Sequence, residues 1–305
     1  MTTLAHWLIH LLIALGAGPL MLGLVNRTKA FFAGRKGPPL LQVWSDLWRL
    51  MRKGMVLSRT TTPVFLLGPA ASTIAVILAA AMLPLGHHGP PLSFPGDLIL
   101  FAYLLALARF FTASAALDTG SPFEGMGAAR EVAFAWLAEP ALFLGFIALA
   151  RLTGGSSLAE MLGPGISGAA KGHMGALVML AVSWFVILLC ENSRIPFDDP
   201  NTHLELTMIH EVMVLDHSGP ALGAILYGSS VKLVVFASLV LGVAAPFSLG
   251  PWLDWPVLLA GLAAVSILIG AVESTMARLR LPNVPRLLVS ASLLAAFSVV
   301  FVMAR

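Results

Sequence analysis

Long apolar stretches alternate with short polar ones along almost the whole chain. Eight of the apolar segments are long enough to cross about 30 Å of hydrocarbon as a helix. They cover residues 4–24, 64–85, 97–117, 131–152, 173–190, 221–244, 257–278 and 286–302. The pattern predicts an all-α polytopic membrane protein with about eight transmembrane helices, built as a single integral-membrane domain over residues 1–305.

Composition supports this class and excludes others. The chain is 58% hydrophobic and 11% charged, with a mean hydropathy of +0.90, which excludes a soluble domain. Its pI near 9.4 reflects basic loops in a lipid bilayer, so no nucleic-acid partner is expected. The only cysteine, Cys190, excludes a disulfide framework and any iron–sulfur or thiolate-ligated metal centre made by this chain alone.

The distribution of Lys and Arg predicts the orientation. With the N-terminus outside, thirteen of these residues fall in inside loops and three fall outside. The positive-inside rule therefore predicts that both termini lie outside. The basic loop 26–62 and the acidic segment 191–219 then face the cytoplasm.

The first inside loop contains an amphipathic pattern. Its apolar residues fall on one helical stripe, at Leu40, Val43, Trp44, Leu47, Leu50 and Met51. A basic helix of this kind could lie at the membrane interface on anionic lipid, or it could dock a cytoplasmic partner. The only acid of the loop, Asp46, favours neither interpretation.

The segment 191–219 holds six of the fifteen carboxylates and three of the eight histidines. They are Glu191, Asp198, Asp199, Glu205, Glu211 and Asp216, with His203, His210 and His217. Pro196 disfavours helix at the preceding residue and predicts a polar elbow. A new helix is expected to start with Asp199 as N-cap and to end near Gly219.

The three histidines recur every seven residues. On one helix, neighbours would lie about 10 Å apart along the axis, too far to share a metal ion. No metal site is therefore predicted, and the histidines are expected to form a polar strip along one face of the helix.

Ionisable residues within the apolar segments need an explanation, because each disfavours insertion by roughly 2.5–3.5 kcal/mol. Glu139 lies inside the fourth segment and is followed by Pro140, and Glu131 lies at the mouth of the same segment beside Arg130. Arg109, Lys232 and Glu273 occupy the third, sixth and seventh segments. Two hypotheses remain open here: buried ion pairs, or a path of exchanging protons.

Several motifs resemble those of a known family. They are GRKGPPLLQVWSDLWRLMRK at 34–53, LDTGSPF at 117–123, GAARE at 127–131, Glu139, Glu191 with RIPFD at 194–198, and DHSG at 216–219. In these motifs the chain resembles the membrane-anchor subunit of formate hydrogenlyase and of other energy-converting (group 4) nickel–iron hydrogenases. That subunit is related to subunit 1 of respiratory complex I.

The resemblance implies a non-catalytic, multi-pass subunit of the cell inner (cytoplasmic) membrane. Such a subunit anchors a peripheral redox arm and links its electron transfer to proton or sodium translocation. The nickel–iron centre and the iron–sulfur clusters would lie in partner subunits, the hydrogenase large and small subunits, next to an antiporter-like membrane subunit. No cofactor is expected in this chain.

The resemblance also assigns residues. The resemblance implies a proton path through Glu139, Glu191, Asp198 and Glu205, with Asp199, Glu211 and Asp216 beside them. We expect Glu131, His203 and His210 to belong to the same path. The partner interface is expected at Arg35, Lys36, Asp46, Arg130 and Arg194. After Pro-Phe-Asp, however, the chain reads DPNTH where the family carries a more acidic run, which predicts a path rewired through His203 and His210.

Other functions stay open. A quinone-site subunit of a respiratory dehydrogenase would have a narrow apolar tunnel bounded by the first helix and the first and third inside loops. A secondary transporter would bind a cationic solute near Glu139 and Glu273. A purely structural anchor would have no ion path at all.

Overall fold

The computed structural model describes residues 2–86, 88–163, 165–198, 209–246 and 248–304. Within these ranges helices are the dominant secondary structure, and eight of them are long and apolar enough to span a membrane. The prediction of an all-α polytopic membrane protein is therefore confirmed.

The eight long helices are α1 (Thr2–Phe32), α3 (Pro63–Met82), α4 (Asp97–Asp118), α5 (Pro122–Thr153), α8 (Met174–Glu191), α9 (Gly219–Ala244), α10 (Asp254–Thr275) and α11 (Val284–Met303). Three short helices lie between them: α2 (Gln42–Met51), α6 (Leu158–Leu162) and α7 (Gly165–Ala169). Two 3-10 turns cover Glu211–Val214 and Leu281–Asn283.

The long helices pack as a bundle in which neighbours in space are often distant in sequence. α3 lies against α4 and α9, α11 lies against α5 and α8, and α1 lies against α10 and α9. Small residues allow close approach: a Cβ on Gly145 of α5 would collide with the indole of Trp184 on α8. α4, α5, α8 and α9 therefore lie close enough for polar side chains on them to meet.

Helix ends on the predicted inside face are fixed by side chains. α3 starts at Pro63 with Thr62 as its N-cap, and Pro suits the first helical position because it lacks an N–H. The carboxylate of Asp118, at the end of α4, accepts hydrogen bonds from the backbone N–H groups of Thr62 at 2.7 Å and Phe65 at 3.3 Å. One acid thus ties the beginning of α3 to the end of α4.

The amphipathic helix predicted in the first inside loop is present as α2. Leu47 is buried, and α2 packs against α9 and α1. Trp48 is 60% exposed, with the guanidinium of Arg52 lying 4.4 Å from its ring centroid. Leu47 of the predicted apolar stripe therefore contacts the bundle, while Trp48, which is outside that stripe, is exposed.

The segment after α8 differs from the predicted helix. Residues 199–208 lie outside the described residues, and 209–218 contain only the 3-10 turn Glu211–Val214. The backbone N–H groups of Ile209 and His210 bond to the Asp198 carboxylate at 2.9 and 3.1 Å. A Cβ on Gly127 of α5 would lie 2.9 Å from the Ile209 carbonyl oxygen, so α5 packs directly on this turn. These contacts replace the regular helix with a docked loop.

Candidate functional site

Four charged side chains from four helices form a continuous chain of ion pairs inside the bundle. Arg109 of α4 places Nη1 2.9 Å from Oε1 of Glu139 on α5, and Nη2 2.7 Å from Oε1 of Glu191 on α8. Lys232 of α9 places Nζ 2.8 Å from Oε2 of Glu191. We call Glu139, Arg109, Glu191 and Lys232 the membrane cluster. Two carboxylates and two cations leave it without net charge.

The positions of the membrane cluster explain why the sequence tolerates it. An isolated charge in an apolar interior is strongly disfavoured, and pairing with good geometry offsets much of the desolvation. The Glu191 side chain is only 5% exposed, while the Glu139 side chain is 41% exposed. Glu139 lies inside an apolar segment of the sequence, but this chain alone leaves its side chain partly uncovered.

Two cavities meet at the membrane cluster. The larger, about 360 Å³, is bordered by Arg109, Glu139 and Glu191 and has apolar walls that include Tyr103 and Phe143. The smaller, about 50 Å³, is bordered by Arg109 and Glu191 and by the polar side chains of Ser72, Thr112, Glu131, Asn192, His210 and Lys232. A polar cavity of this size has room for ordered water, which could connect Glu131 with the cluster.

Two further ion-pair groups lie at the predicted inside face. Glu273 lies between Lys29 at 2.8 Å and Arg194 at 3.4 Å, and its side chain is fully buried. Asp198 pairs with Arg278 at 2.9 Å through one oxygen, and its other oxygen holds the two backbone N–H groups of the loop. We call these two groups the rim clusters. They fasten the polar elbow to α1 and to the end of α10.

A third group of contacts holds the end of the loop. The buried carboxylate of Glu124 accepts hydrogen bonds from the Thr119 hydroxyl and, at 3.2 Å, from the backbone N–H of Asp216. The ring of His217 stacks on Phe65 with centroids 4.0 Å apart. Burial lowers the pKa of His217 from 6.5 to about 4, although nearby Asp216 acts in the opposite direction. His217 is therefore neutral at pH 7.

The structure brings some of the predicted path residues together and separates others. Glu131, Glu139, Glu191 and His210 border the two cavities, and burial lowers the pKa of His210. Asp198 belongs to a rim cluster, Glu211 is half-buried on the 3-10 turn, and Asp216 is exposed. His217 and His210 have different surroundings, so the expected single strip is not formed by these two. Asp199, His203 and Glu205 lie outside the described residues.

The predicted interface residues also separate into two groups. Arg35, Lys36 and Asp46 are exposed on the loop between α1 and α3, which the sequence predicts to lie inside. Arg130 is half-buried near the start of α5, and the Arg194 side chain is only 13% exposed because it pairs with Glu273. The first group is available to a partner subunit, and Arg194 holds the elbow.

Sequence reasoning missed two of the basic partners in the rim clusters, Lys29 and Arg278. Lys29 and Arg278 have the signature of basic loop residues, whereas Lys29 lies on α1, which continues to Phe32, well beyond the apolar segment. Glu124 was also missed, because its position in the first turn of α5 gives only a weak signal. Within the ranges that the structure describes, no group of three His, Cys, Asp or Glu residues could hold a metal ion.

Comparisons with known proteins agree with this architecture. Residues 5–304 match the family model described as NADH dehydrogenase. The chain is 31% identical over 292 residues to formate hydrogenlyase subunit 4 of Escherichia coli (strain K12), covering 92% of each chain. It is 32% identical over 267 residues to hydrogenase-4 component C of the same organism, covering 85% of this chain and 83% of the relative.

Two more distant proteins are also similar to this chain, one in sequence and one in structure. An NADH-quinone oxidoreductase subunit of Geobacter metallireducens (strain ATCC 53774 / DSM 7210 / GS-15) is 26% identical over 249 residues, covering 74% of this chain and 71% of the relative. A chain in the structure of the membrane-bound sulfane sulfur reductase, an archaeal respiratory membrane complex, superposes with a TM-score of 0.82 at 21% identity, covering 99% of this chain and all of that one. The resemblance inferred from the motifs is thus confirmed. The chain belongs to the NADH dehydrogenase subunit 1 family: it is a complex I-like membrane subunit and a homologue of formate hydrogenlyase subunit 4 and hydrogenase-4 component C.

Proposed function

We propose that this chain is the membrane subunit of a complex I-like hydrogenase or formate hydrogenlyase complex of the cell inner membrane. It anchors a peripheral arm whose large and small subunits contain the nickel–iron centre and the iron–sulfur clusters. It also passes the effect of electron transfer to an ion path that continues into an antiporter-like neighbour. The observation that carries this proposal is the membrane cluster between two cavities.

The geometry supports the beginning of an ion path in three ways. Glu131 and His210 border the small cavity at the loop side of the cluster, where an arm bound on the inside face would act. Glu139 borders the large cavity on the other side. Pro140 has no N–H to bond the carbonyl four residues earlier, which leaves a backbone acceptor in the same part of α5.

The inside surface supports an anchoring role. Arg35 and Lys36 are exposed, and Trp48 on α2 is 60% exposed. Exposed aromatic and arginine side chains are enriched at protein interfaces. The docked loop 209–218 lies beside the same face, because the backbone N–H of Val56 bonds to the Ser218 hydroxyl at 3.1 Å.

The transporter alternative has less support. Glu139 and Glu273 belong to different clusters, and each already pairs with a cation of the protein. A cationic solute would have to displace Arg109 at one carboxylate, or Lys29 and Arg194 at the other. The quinone alternative needs an apolar tunnel beside α1. At Gly23 of α1 the backbone packs directly against the Leu40 carbonyl, so this point leaves no space for a tunnel.

Purification tests the anchoring role. The chain should be isolated in gentle detergent under reducing conditions, and the co-purifying subunits identified by mass spectrometry with a nickel and iron assay. Stoichiometric iron–sulfur and nickel–iron subunits are expected. Iron without nickel, together with bound quinone, would favour the respiratory alternative, and a lone metal-free chain would contradict the proposal.

Ion translocation tests the path. Glu139→Gln keeps the shape of the side chain and removes its charge, so we expect an assembled complex with electron transfer retained and ion movement per turnover strongly reduced. Glu160→Gln is the matched control, since Gln also serves in the capping box that Glu160 forms with Ser157 at the start of α6. Equal ion movement in both variants and the parent complex would exclude Glu139 from the path.

A further inference from the structure

Glu191 is held on both of its carboxylate oxygens. Oε1 lies 2.7 Å from Nη2 of Arg109, and Oε2 lies 2.8 Å from Nζ of Lys232. The contact with Arg109 is a charge-assisted hydrogen bond, which is among the strongest polar interactions in proteins, and the contact with Lys232 adds an ion pair. A proton on Glu191 would remove its attraction to two cations at once, in a site that is almost fully buried. The geometry therefore favours a carboxylate that stays ionised.

Glu139 is held much more loosely. Among the ion pairs of the described residues it enters one, to Arg109 through Oε1. Its side chain is 41% exposed and borders the cavity of about 360 Å³. A proton arriving through that cavity can reach Glu139 and would release only one ion pair.

Glu191 lies between the two cavities, each of which is bordered by a different second glutamate. Arg109 and Glu191 border both cavities. Glu131 and Lys232 border the smaller one, and Glu139 borders the larger one. Glu191 thus separates the two cavities, with Glu131 on the side of the smaller cavity and Glu139 on the side of the larger one.

The geometry points to a division of roles, which rests on the proposed ion path: Glu139 takes up and releases the proton, and Glu191 is a permanent anion fixed by Lys232. Lys232 and Glu191 form a charge-balanced pair beside Arg109, and neither of them takes up the proton. The ion that passes the cluster is then a proton and not a sodium ion. Both carboxylates already pair with a cation of the protein, which a sodium ion would have to displace.

The proton step balances within these residues. A hydronium ion in the larger cavity gives its proton to the Glu139 carboxylate and becomes water. Glu139 is then a neutral acid, and its ion pair with Nη1 of Arg109 is lost. Arg109 keeps its charge and its hydrogen bond to Glu191, and the membrane cluster has a net charge of +1 while Glu139 is protonated. When the proton leaves, the ion pair between Glu139 and Arg109 forms again.

Charge-matched variants test this division in the assembled complex. Glu191→Gln leaves Lys232 without a counterion, and we expect at least about a tenfold loss in the yield of the complex. The double variant Glu191→Gln/Lys232→Met removes one charge of each sign, and it should regain yield and most of the ion movement per turnover. Glu160→Gln serves again as the control. A double variant that assembles and conducts electrons but moves no protons would overturn the inference.

Infrared difference spectroscopy gives a second test that needs no variant at Glu191. On turnover, the parent complex should show the carbonyl stretch of a protonated carboxylic acid, and this band should vanish in Glu139→Gln. Persistence of the band would show that another carboxyl takes the proton and would overturn the inference. If the parent complex translocates no ion at all, the proposed function fails, and the infrared band still reports which carboxyl is protonated.

Discussion

The membrane cluster and the rim clusters use the same residue types, but the surroundings of their carboxylates differ. The side chains of Glu273 and Asp198 are 0% and 2% exposed, and their oxygens meet two cations or a cation and two backbone N–H groups. Glu139 has one paired oxygen and a cavity beside it. The fully buried and fully paired acids, Glu273 and Asp198, hold segments of the chain together. Glu139, with one ion pair and a cavity beside it, can exchange a proton.

This contrast separates two roles that the family resemblance combined. Asp198 lies in the acidic segment, as expected for a path residue, yet its contacts fasten residues 209 and 210 to the elbow. Glu191, from the same segment, belongs to the membrane cluster. Sequence position alone does not distinguish them, because both follow the same apolar segment within eight residues.

The largest expected effect on stability comes from Glu273→Gln. Lys29 and Arg194 would lose their shared counterion in a buried site, and breaking such a pair typically costs roughly 3–5 kcal/mol. We expect a clear fall in the thermal unfolding midpoint of the purified protein in detergent. Glu139→Gln, at a more exposed carboxylate, should lower the midpoint much less. Equal falls would remove the distinction between the clusters.

The next effect separates the charge of Asp198 from its hydrogen bonds. Asp198→Asn can still accept from the backbone N–H groups of Ile209 and His210, whereas Asp198→Ala cannot. Hydrogen bonds to a charged group contribute about 1.5–3 kcal/mol each, so the Ala variant should lose more stability. Hydrogen exchange measures this directly: the two amides should exchange faster in the Ala variant. Equal protection in both variants would contradict the docking role of Asp198.

The sequence was sufficient for the architecture because a membrane span depends on a local property. Twenty or so consecutive apolar residues must form a helix, since the backbone has no other partner in hydrocarbon. The ends were less accurate: the apolar pattern predicts an end of the first segment at Leu24, and α1 continues to Phe32 with Lys29 on its polar extension. Only the distant residue Glu273 explains why that extension is held in place.

The site was predictable only as a set of residue types. Glu139, Arg109, Lys232 and Glu273 are each recognisable as charges within apolar segments. Which of them meet depends on the packing of α4, α5, α8 and α9, and this follows from contacts between segments far apart in the sequence. The loop 209–218 failed as a helix prediction for the same reason, because its backbone bonds go to Asp198 and its apolar side chains pack on α5.

A moderate effect is expected from pH at the loop. Buried His217 has a pKa of about 4 when folded against 6.5 when exposed, so the undocked state binds the extra proton. Docking of the loop should therefore be fully stable above about pH 6.5 and should weaken as the pH falls towards 4. The amide protection factors of residues 209–218, measured by hydrogen exchange at about pH 7.5 and about pH 5, should be lower at the lower pH.

The control for the pH effect is His217→Phe, which keeps an aromatic ring against Phe65 and cannot be protonated. The variant should show a weaker dependence on pH. Some dependence should remain, because burial also lowers the pKa of His210 in the same loop. An unchanged dependence in the variant would show that His217 does not control the docking.

The smallest effect is expected at Asp46, which provides an exposed counterpart to the buried clusters. Its Oδ1 lies 3.7 Å from Nη1 of Arg49, and the side chains of Asp46 and Arg49 are 50% and 70% exposed. Exposed pairs of this kind contribute about 0–1 kcal/mol, so Asp46→Asn should leave the thermal midpoint nearly unchanged. If α2 binds the peripheral arm, the same variant should change how much of the arm co-purifies without changing the stability of the chain. A large fall in the thermal midpoint would show that Asp46 contributes to the stability of the chain, and the variant could then not be used to test the interface.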